Sequence, residues 1–152
     1  MFEFRDPGRL IDGDLELVLL EQYPGDPLAN RVPAFKFAMR RRGELADIGS
    51  VELRVGNTTH LVMYAGHLGY GVNADQRGHG YAARACRLLL PLARSHGLKT
   101  LWITCSPDNA ASQRTCERLG AEYVETVDLP EDTDMYQSGR RRVCRYRLEI
   151  VP

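Results

Sequence analysis

Between Leu61 and Ala82 the chain runs from a long apolar stretch broken by Gly66, Gly69 and Gly71 into Arg77–Gly78–His79–Gly80–Tyr81–Ala82, and from there into helical periodicity. A strand that turns through glycines into a helix has few places to put that helix. It must lie back over the sheet, so the chain reads as a layered α/β domain. Glycines inside a strand mark a bulge or a close approach by ligand backbone. Gly78 and Gly80 let backbone N–H groups approach a ligand unobstructed. The helix N-terminus adds unpaired donors and the positive end of a dipole, which suits a phosphate, and Arg77 can add a full charge. These six residues alone fit a tight turn before a helix equally well. No Gly–Lys–Ser/Thr follows, and the third glycine of the dinucleotide fingerprint is missing.

The rest of the chain supplies the sheet. Leu15–Leu20 is a short apolar run, read as a buried strand. A loop rich in turn formers follows, with Pro24, Gly25, Asp26, Pro27, Asn30 and Pro33. Phe35, Phe37 and Met39 alternate with polar or small neighbours, and so do Val51, Leu53 and Val55; both segments read as half-buried strands, with a hairpin turn at Arg42–Gly43–Glu44. Leu61 to Val72 reads as one long strand. Ala82, Ala85, Cys86, Leu89, Leu92 and Ala93 fall on one helical face, with Arg84 and Arg87 elsewhere on the wheel. Pro91 is a candidate kink and Gly97 a natural stop. Thr100–Cys105 is a buried strand. Asn109 or Asp108 can cap a second helix that ends before Gly120. Tyr123–Val127 is strand-like, 128–141 is a polar loop, and Cys144, Tyr146, Leu148 and Ile150 alternate with Arg145, Arg147 and Glu149 in a closing strand. The strand–helix–strand portion implies one parallel pair with a right-handed crossover. With no linker, repeat or biased segment, residues 1–152 are expected to form a single domain.

Composition narrows the function. Twenty basic and twenty acidic residues give a net charge of zero, which does not fit a general nucleic-acid binder. The one basic run, Arg140–Arg141–Arg142, reads as a solvated turn entering a strand. Cys86, Cys105, Cys116 and Cys144 show no metal or redox spacing, so no metal site is expected and free thiols in a reducing cytoplasm are the simplest account. No apolar run approaches the ~20 residues of a membrane span, and charges occupy the N-terminus where a signal peptide needs an apolar core. A cytoplasmic protein is expected.

The glycine segment resembles the acyl-CoA pyrophosphate motif of the GCN5-related N-acetyltransferases (GNAT): Gln or Arg, two free positions, Gly, one free position, then Gly or Ala. The motif falls on Arg77, Gly80 and Ala82. Gly69–Tyr70–Gly71–Val72–Asn73 is similar to that family's central strand, which splays from its neighbour and pairs with the pantetheine arm. Asp108–Asn109–Ala110–Ala111–Ser112 and Glu117–Arg118–Leu119–Gly120–Ala121 resemble its Asn-x-x-Ala/Ser helix and its closing Glu-Lys-Leu-Gly-Phe segment. The likeness spans roughly 45–128. Over 1–44 it is vague, and the short, proline-rich stretch there implies a reduced or rearranged acceptor lid. Ala65–Gly66–His67–Leu68–Gly69–Tyr70 resembles a poorly characterised branch that brings no substrate with it.

The resemblance implies a mixed α/β fold: a mostly antiparallel central sheet with a splayed strand pair and flanking helices. It also implies acetyl-CoA as co-substrate and transfer of its acetyl group to a primary amine of a small molecule or peptide. Gly78, Gly80 and the amides of Tyr81 and Ala82 would hold the pyrophosphate. His79 would touch a phosphate or lie in solvent. Val72, with Asn73 beside it, would offer its backbone N–H to the thioester oxygen. Asn109, with Ser112 in the same motif, would bond the pantetheine arm; a helix cap is the plainer reading, and both are compatible.

An amine attacking a thioester must lose a proton, and the departing thiolate must gain one. Many family members carry a tyrosine seven residues after the asparagine. Here that position is Cys116, either a donor or a small core residue. Tyr70 and Tyr64 are further candidate acids. His67, with a suitable intrinsic pKa, and Glu52, on the outer face of its strand, are candidate bases; each has a structural alternative. Positioning and water alone would also suffice. The rival reading is a non-catalytic acyl-CoA-binding module. Family habit suggests a homodimer, and the loops 24–33 and 128–141 are expected to shape the acceptor pocket.

Overall fold

Phe35, Phe37 and Met39 lie on one face of strand β3 (Ala34–Arg41), and all three are buried. Each contributes about 1.5–3 kcal/mol by leaving water. Around β3 the sheet grows outward on both sides. Strand β2 (Leu15–Tyr23) pairs with it on one edge and β4 (Asp47–Arg54) on the other. β1 (Leu10–Asp12) lies outside β2, and β5 (Leu68–Val72) outside β4, giving a five-stranded antiparallel sheet. β6 (Thr100–Cys105), β7 (Glu122–Asp128) and β8 (Arg142–Glu149) form a second antiparallel sheet in the order β6-β8-β7. Helices α1 (Tyr81–Ser95) and α2 (Ala110–Leu119) flank the sheets, and α3 (Asp134–Gln137) is a single turn within the polar loop. This computed structural model describes residues 2–150; Met1, Val151 and Pro152, the ends of the expected domain, lie outside the described residues.

The core joins both sheets through α1, whose Ala85, Cys86, Leu89, Leu92 and Ala93 are buried as their spacing predicts. Ala82 is only half-buried, and Tyr81 takes its place against the core. The helix runs through Pro91. All four cysteines are free and buried.

The structure departs from the sequence expectations in three places that matter to the site. First, Leu61–Val72 is not one strand. Leu61–Ala65 forms a π-helical turn, and the chain becomes extended only at Leu68. Gly66 makes the change of direction with φ +78°, and a Cβ there would stand 2.9 Å from the Trp102 carbonyl oxygen, so only glycine fits the close approach.

Second, the parallel pair expected across α1 does not form a ladder. β5 and β6 belong to different sheets. They are held together beside the start of β5, where His67 N donates to Trp102 O (2.7 Å) and Trp102 N donates to His67 Nδ1 (2.9 Å). From there the two strands diverge, which is the splay the resemblance implies.

Third, Arg145 does not face solvent. It is 5% exposed, its guanidinium lies 4.1 Å over the Trp102 ring, and it pairs with Glu125 and donates to Val62 O. The π-helical turn covers that face of β8, so alternation in this strand does not separate core from water.

Candidate functional site

The gap between β5 and β6 is the centre of the site, and the backbone of β5 faces it. Arg54 N donates to His67 O, and Asn73 N donates to Ile48 O, at the two ends of the β4–β5 ladder. Antiparallel ladders alternate. The residues turned toward β4 are therefore Gly69 and Gly71, opposite Glu52 and Ser50, and Tyr70 and Val72 turn their N–H and C=O groups to the open edge. Val72 O already accepts from Arg77 Nε at 3.2 Å. The N–H of Val72 is left facing the gap.

At one end of β5 lies the glycine turn. Gly78 and Gly80 adopt φ +90° and +71°. Gly80 caps α1 without a side-chain bond, and Arg84 N to Gly80 O closes the first helical turn. The N–H groups of Tyr81, Ala82 and Ala83 have no partner within the helix. They open toward a shallow depression of about 350 Å³ lined by Gly78, His79, Gly80, Ala83, Arg84, Arg87 and Arg118. His79 is exposed there, its ring 5.3 Å from that of Tyr81.

Arg77, expected to charge this turn, instead ties back to the strand through Val72 O, and Asn73 turns its side-chain amide to Asp47 O at 3.0 Å. The charge in the depression comes from Arg87 and Arg118, which the motif did not single out. Their signal was weak: Arg87 lies off the core face of α1, and Arg118 occupies the last turn of α2, where a cation suits any helix end.

At the other end a cleft of about 1040 Å³ passes between the sheets. Its wall includes Glu52, Arg54 and Gly69 from one face of the first sheet, and Tyr70, Asn109 and Ser112 from the α2 side. Residues of both expected loops line it, among them Asp26, Asn30 and Arg31 from the first and Asp134, Met135 and Arg140 from the second. Among the described residues before β3 there is no α-helix, only a 3-10 turn at Pro27–Ala29. The cleft mouth is thus edged by a loop and not by a helical lid.

Four polar groups meet in the gap. Tyr70 Oη lies 2.7 Å from Ser112 Oγ and 3.9 Å from Cys116 Sγ. Asn109 Oδ1 accepts from Ser112 N at 3.1 Å and so caps α2. Burial pushes the Tyr70 phenol above its usual range, and it pushes the Cys116 thiol up to about 12. At neutral pH both keep their protons, so each is a donor rather than a base. Tyr64 lies apart from the cleft wall, its carbonyl accepting from Thr104 Oγ1.

His67 is a different case. It is fully buried, Nδ1 accepts from Trp102 N, and Nε2 donates to Gly56 O at 2.9 Å. Burial, with the nearby Arg54 charge, lowers its pKa to about 4. With both nitrogens engaged it cannot collect a proton from an incoming amine, and the geometry is that of a structural histidine clamping β5 to β6. Glu52 remains on the cleft wall, 3.3 Å from Arg54 Nε. His60 also lines the cleft, a residue absent from the motif reading because nothing in its neighbourhood repeats a pattern. Among the described residues no group of three or more acidic, Cys or His side chains is placed to hold a metal.

A splayed sheet, a glycine turn feeding a helix N-terminus, and a polar cleft through the gap define a domain built to hold an extended, phosphate-bearing ligand. Residues 19–122, more than half of the chain, match the acetyltransferase (GNAT) domain family, and the chain belongs to that family. Among solved structures it is similar to a probable acetyltransferase (GNAT family) from Chromobacterium violaceum, with 15% identity, a TM-score of 0.68, and coverage of 97% of this chain and 89% of that one. It is also similar to an acetyltransferase from Salmonella typhimurium that modifies the N-terminal serine of ribosomal protein L7/L12 (18% identity, TM-score 0.60, 78% of this chain and 64% of that one). A third is the microcin C7 self-immunity acetyltransferase MccE in complex with acetyl-CoA and AMP (18% identity, TM-score 0.57, 76% of this chain). The chain spans 61% of the length of that MccE structure. No curated protein sequence matches.

Proposed function

We propose that this chain transfers the acetyl group of acetyl-CoA to a primary amine of a small molecule or peptide. The observation that carries the reading is the placement of the glycine turn and its open amides beyond one end of the free edge of β5, with the Tyr70–Ser112 pair in the cleft toward the other. In this proposal the pyrophosphate sits on the α1 N-terminus and the pantetheine arm runs beside Tyr70 and Val72. The cleft, about 1040 Å³, is at the upper end of what one small ligand needs, roughly 300–1,000 Å³, and so has room for the thioester end and an acceptor together.

The acceptor nitrogen attacks the thioester carbon, the carbon–sulfur bond breaks, and the coenzyme thiolate takes a proton. Val72 N–H is turned toward the developing oxyanion. Tyr70, held neutral by burial, supplies the proton to sulfur. Glu52, on the opposite wall, removes the amine proton directly or through water. Acidic Asp26, Glu52 and Asp134 are balanced in the cleft by Arg31, Arg54 and Arg140, which suits an acceptor of low net charge. A cytoplasmic setting suits the four buried thiols, and no helix among the described residues is long and apolar enough to cross a membrane. Pairing of two copies is a further part of the proposal; Tyr123 and Val124 lie exposed on β7, the edge of the second sheet.

The test is release of free coenzyme thiol from acetyl-CoA across a panel of small amines and peptides, with acetylated product identified by mass. Release accelerated by an amine supports transfer. Tight acetyl-CoA binding with no acceleration by any amine favours the non-catalytic acyl-CoA-binding module instead.

A further inference from the structure

The depression beside the glycine turn holds more positive charge than a pyrophosphate needs. The open amides and the α1 dipole already serve that group. Arg84 is committed elsewhere: its Nε is 2.8 Å from Asp12 Oδ2 and its Nη2 is 2.8 Å from Asp14 Oδ1. Arg87 and Arg118 are exposed, and among the described residues neither has a carboxylate partner. Arg87 Nη2 donates to the Arg118 carbonyl at the end of α2, which draws the two side chains to the same seam between the helices. Arg118 overhangs the turn: a Cβ on Gly80 would stand 3.5 Å from its Nη1. Arg87 lies roughly 9 Å along the axis from Tyr81, at 1.5 Å per residue.

Two unpaired guanidinium groups therefore stand next to the pyrophosphate position, one over it and one further along α1. A phosphate monoester carries up to two negative charges near neutral pH and offers three acceptor oxygens, which two planar guanidinium forks can share. In acetyl-CoA that monoester is on the 3′-oxygen of the ribose whose 5′-oxygen bears the pyrophosphate. We infer that Arg87 and Arg118 together hold the ribose 3′-phosphate and make this protein select acetyl-CoA over its 3′-dephospho form. The inference rests on the coenzyme reading above and adds to it which residues discriminate the nucleotide end.

The experiment is calorimetric titration of the full chain with acetyl-CoA and with 3′-dephospho-acetyl-CoA, for the wild type, Arg87→Gln, Arg118→Gln, the double variant and Arg87→Lys. Each protein's unfolding midpoint is read alongside. Charge-assisted hydrogen bonds of this kind imply that the wild type prefers acetyl-CoA by about tenfold or more. The double variant is expected to bind acetyl-CoA as weakly as the wild type binds the dephospho form. Its affinity for the dephospho form should stay nearly unchanged, and Arg87→Lys should keep part of the preference. Equal wild-type affinity for both ligands, or a double variant that still discriminates, overturns the inference while leaving the coenzyme site in place. If the wild type binds neither ligand, the coenzyme reading itself fails and this one falls with it.

Discussion

Tyr70 on β5 and Ser112 on α2 meet across the gap between the sheets, with 2.7 Å between their hydroxyl oxygens. The contact places a half-buried, protonated phenol 3.9 Å from the Cys116 sulfur, the helix position where the family resemblance leads one to expect a tyrosine. The hydroxyl is thus delivered from the strand, and the helix supplies its support.

Tyr70→Phe tests that arrangement. Proton donation by a placed acid contributes about 10²–10⁴-fold to a rate, and a thiolate is an easy leaving group, so the lower end applies. The variant is expected to lose roughly 10–100-fold in kcat while keeping its acetyl-CoA affinity. Cys116→Ala should leave kcat close to wild type. Steady-state rates and direct binding on the two variants check both points.

Strands β2, β3, β4, β6 and β8 and both long helices could be read from their apolar patterns, because each buries residues in the core, whereas the three-residue β1 was too short to show a pattern and β7 buries no side chain. The glycine turn was legible because Gly78 and Gly80 do something a side chain prevents. The failures have physical causes. Leu61–Ala65 looked like strand because a run of five apolar residues carries no period that separates a helical turn from extended chain. Arg145 looked solvent-facing because its cover comes from Val62 and Trp102, far away in sequence. His67 stayed open between a base and a structural histidine, because its intrinsic pKa says nothing of the two backbone groups that occupy its nitrogens. Arg87 and Arg118 became significant only when α1 and α2 brought them together.

Glu52→Gln removes the carboxylate on the cleft wall and keeps the shape. If Glu52 takes the amine proton, kcat/KM falls by about 100-fold, a typical contribution of a general base. An unchanged kcat/KM would leave positioning and water as sufficient. Steady-state rates of the variant and the wild type on a single responsive amine decide it.

His67 predicts a specific acid sensitivity of the fold. Its folded pKa is lowered from 6.5 to about 4. Above pH 6.5 it is neutral whether folded or unfolded and no penalty applies. As the pH falls toward 4 the unfolded chain takes up the proton first, so stability drops by about 1.4 kcal/mol per pH unit and about 3 kcal/mol in all. Below pH 4 this contribution is constant. Denaturant titrations at several pH values should show that slope in the wild type. His67→Gln, although less stable overall, should show it reduced by that amount.

Gly66→Ala should be among the costliest small substitutions. Its φ of +78° disfavours any side chain, and the added carbon would meet the Trp102 carbonyl at 2.9 Å. A loss of about 2–4 kcal/mol is expected from strain and the forced separation of β5 from β6. Gly71→Ala, in open space with ordinary φ, should cost under about 1 kcal/mol. Chemical denaturation of the two variants compares them directly.

The central claim is that the gap between β5 and β6 is an acetyl-CoA site, and the most direct measurement is the unfolding midpoint with and without acetyl-CoA, using ATP and NAD as controls. A ligand at a hundred times its dissociation constant adds about 2.7 kcal/mol, which for a domain of this size raises the midpoint by roughly 5–10 °C. A rise of that size with acetyl-CoA and none with the other nucleotides is the predicted result. No rise at saturating acetyl-CoA would contradict the account and leave a fold without its ligand.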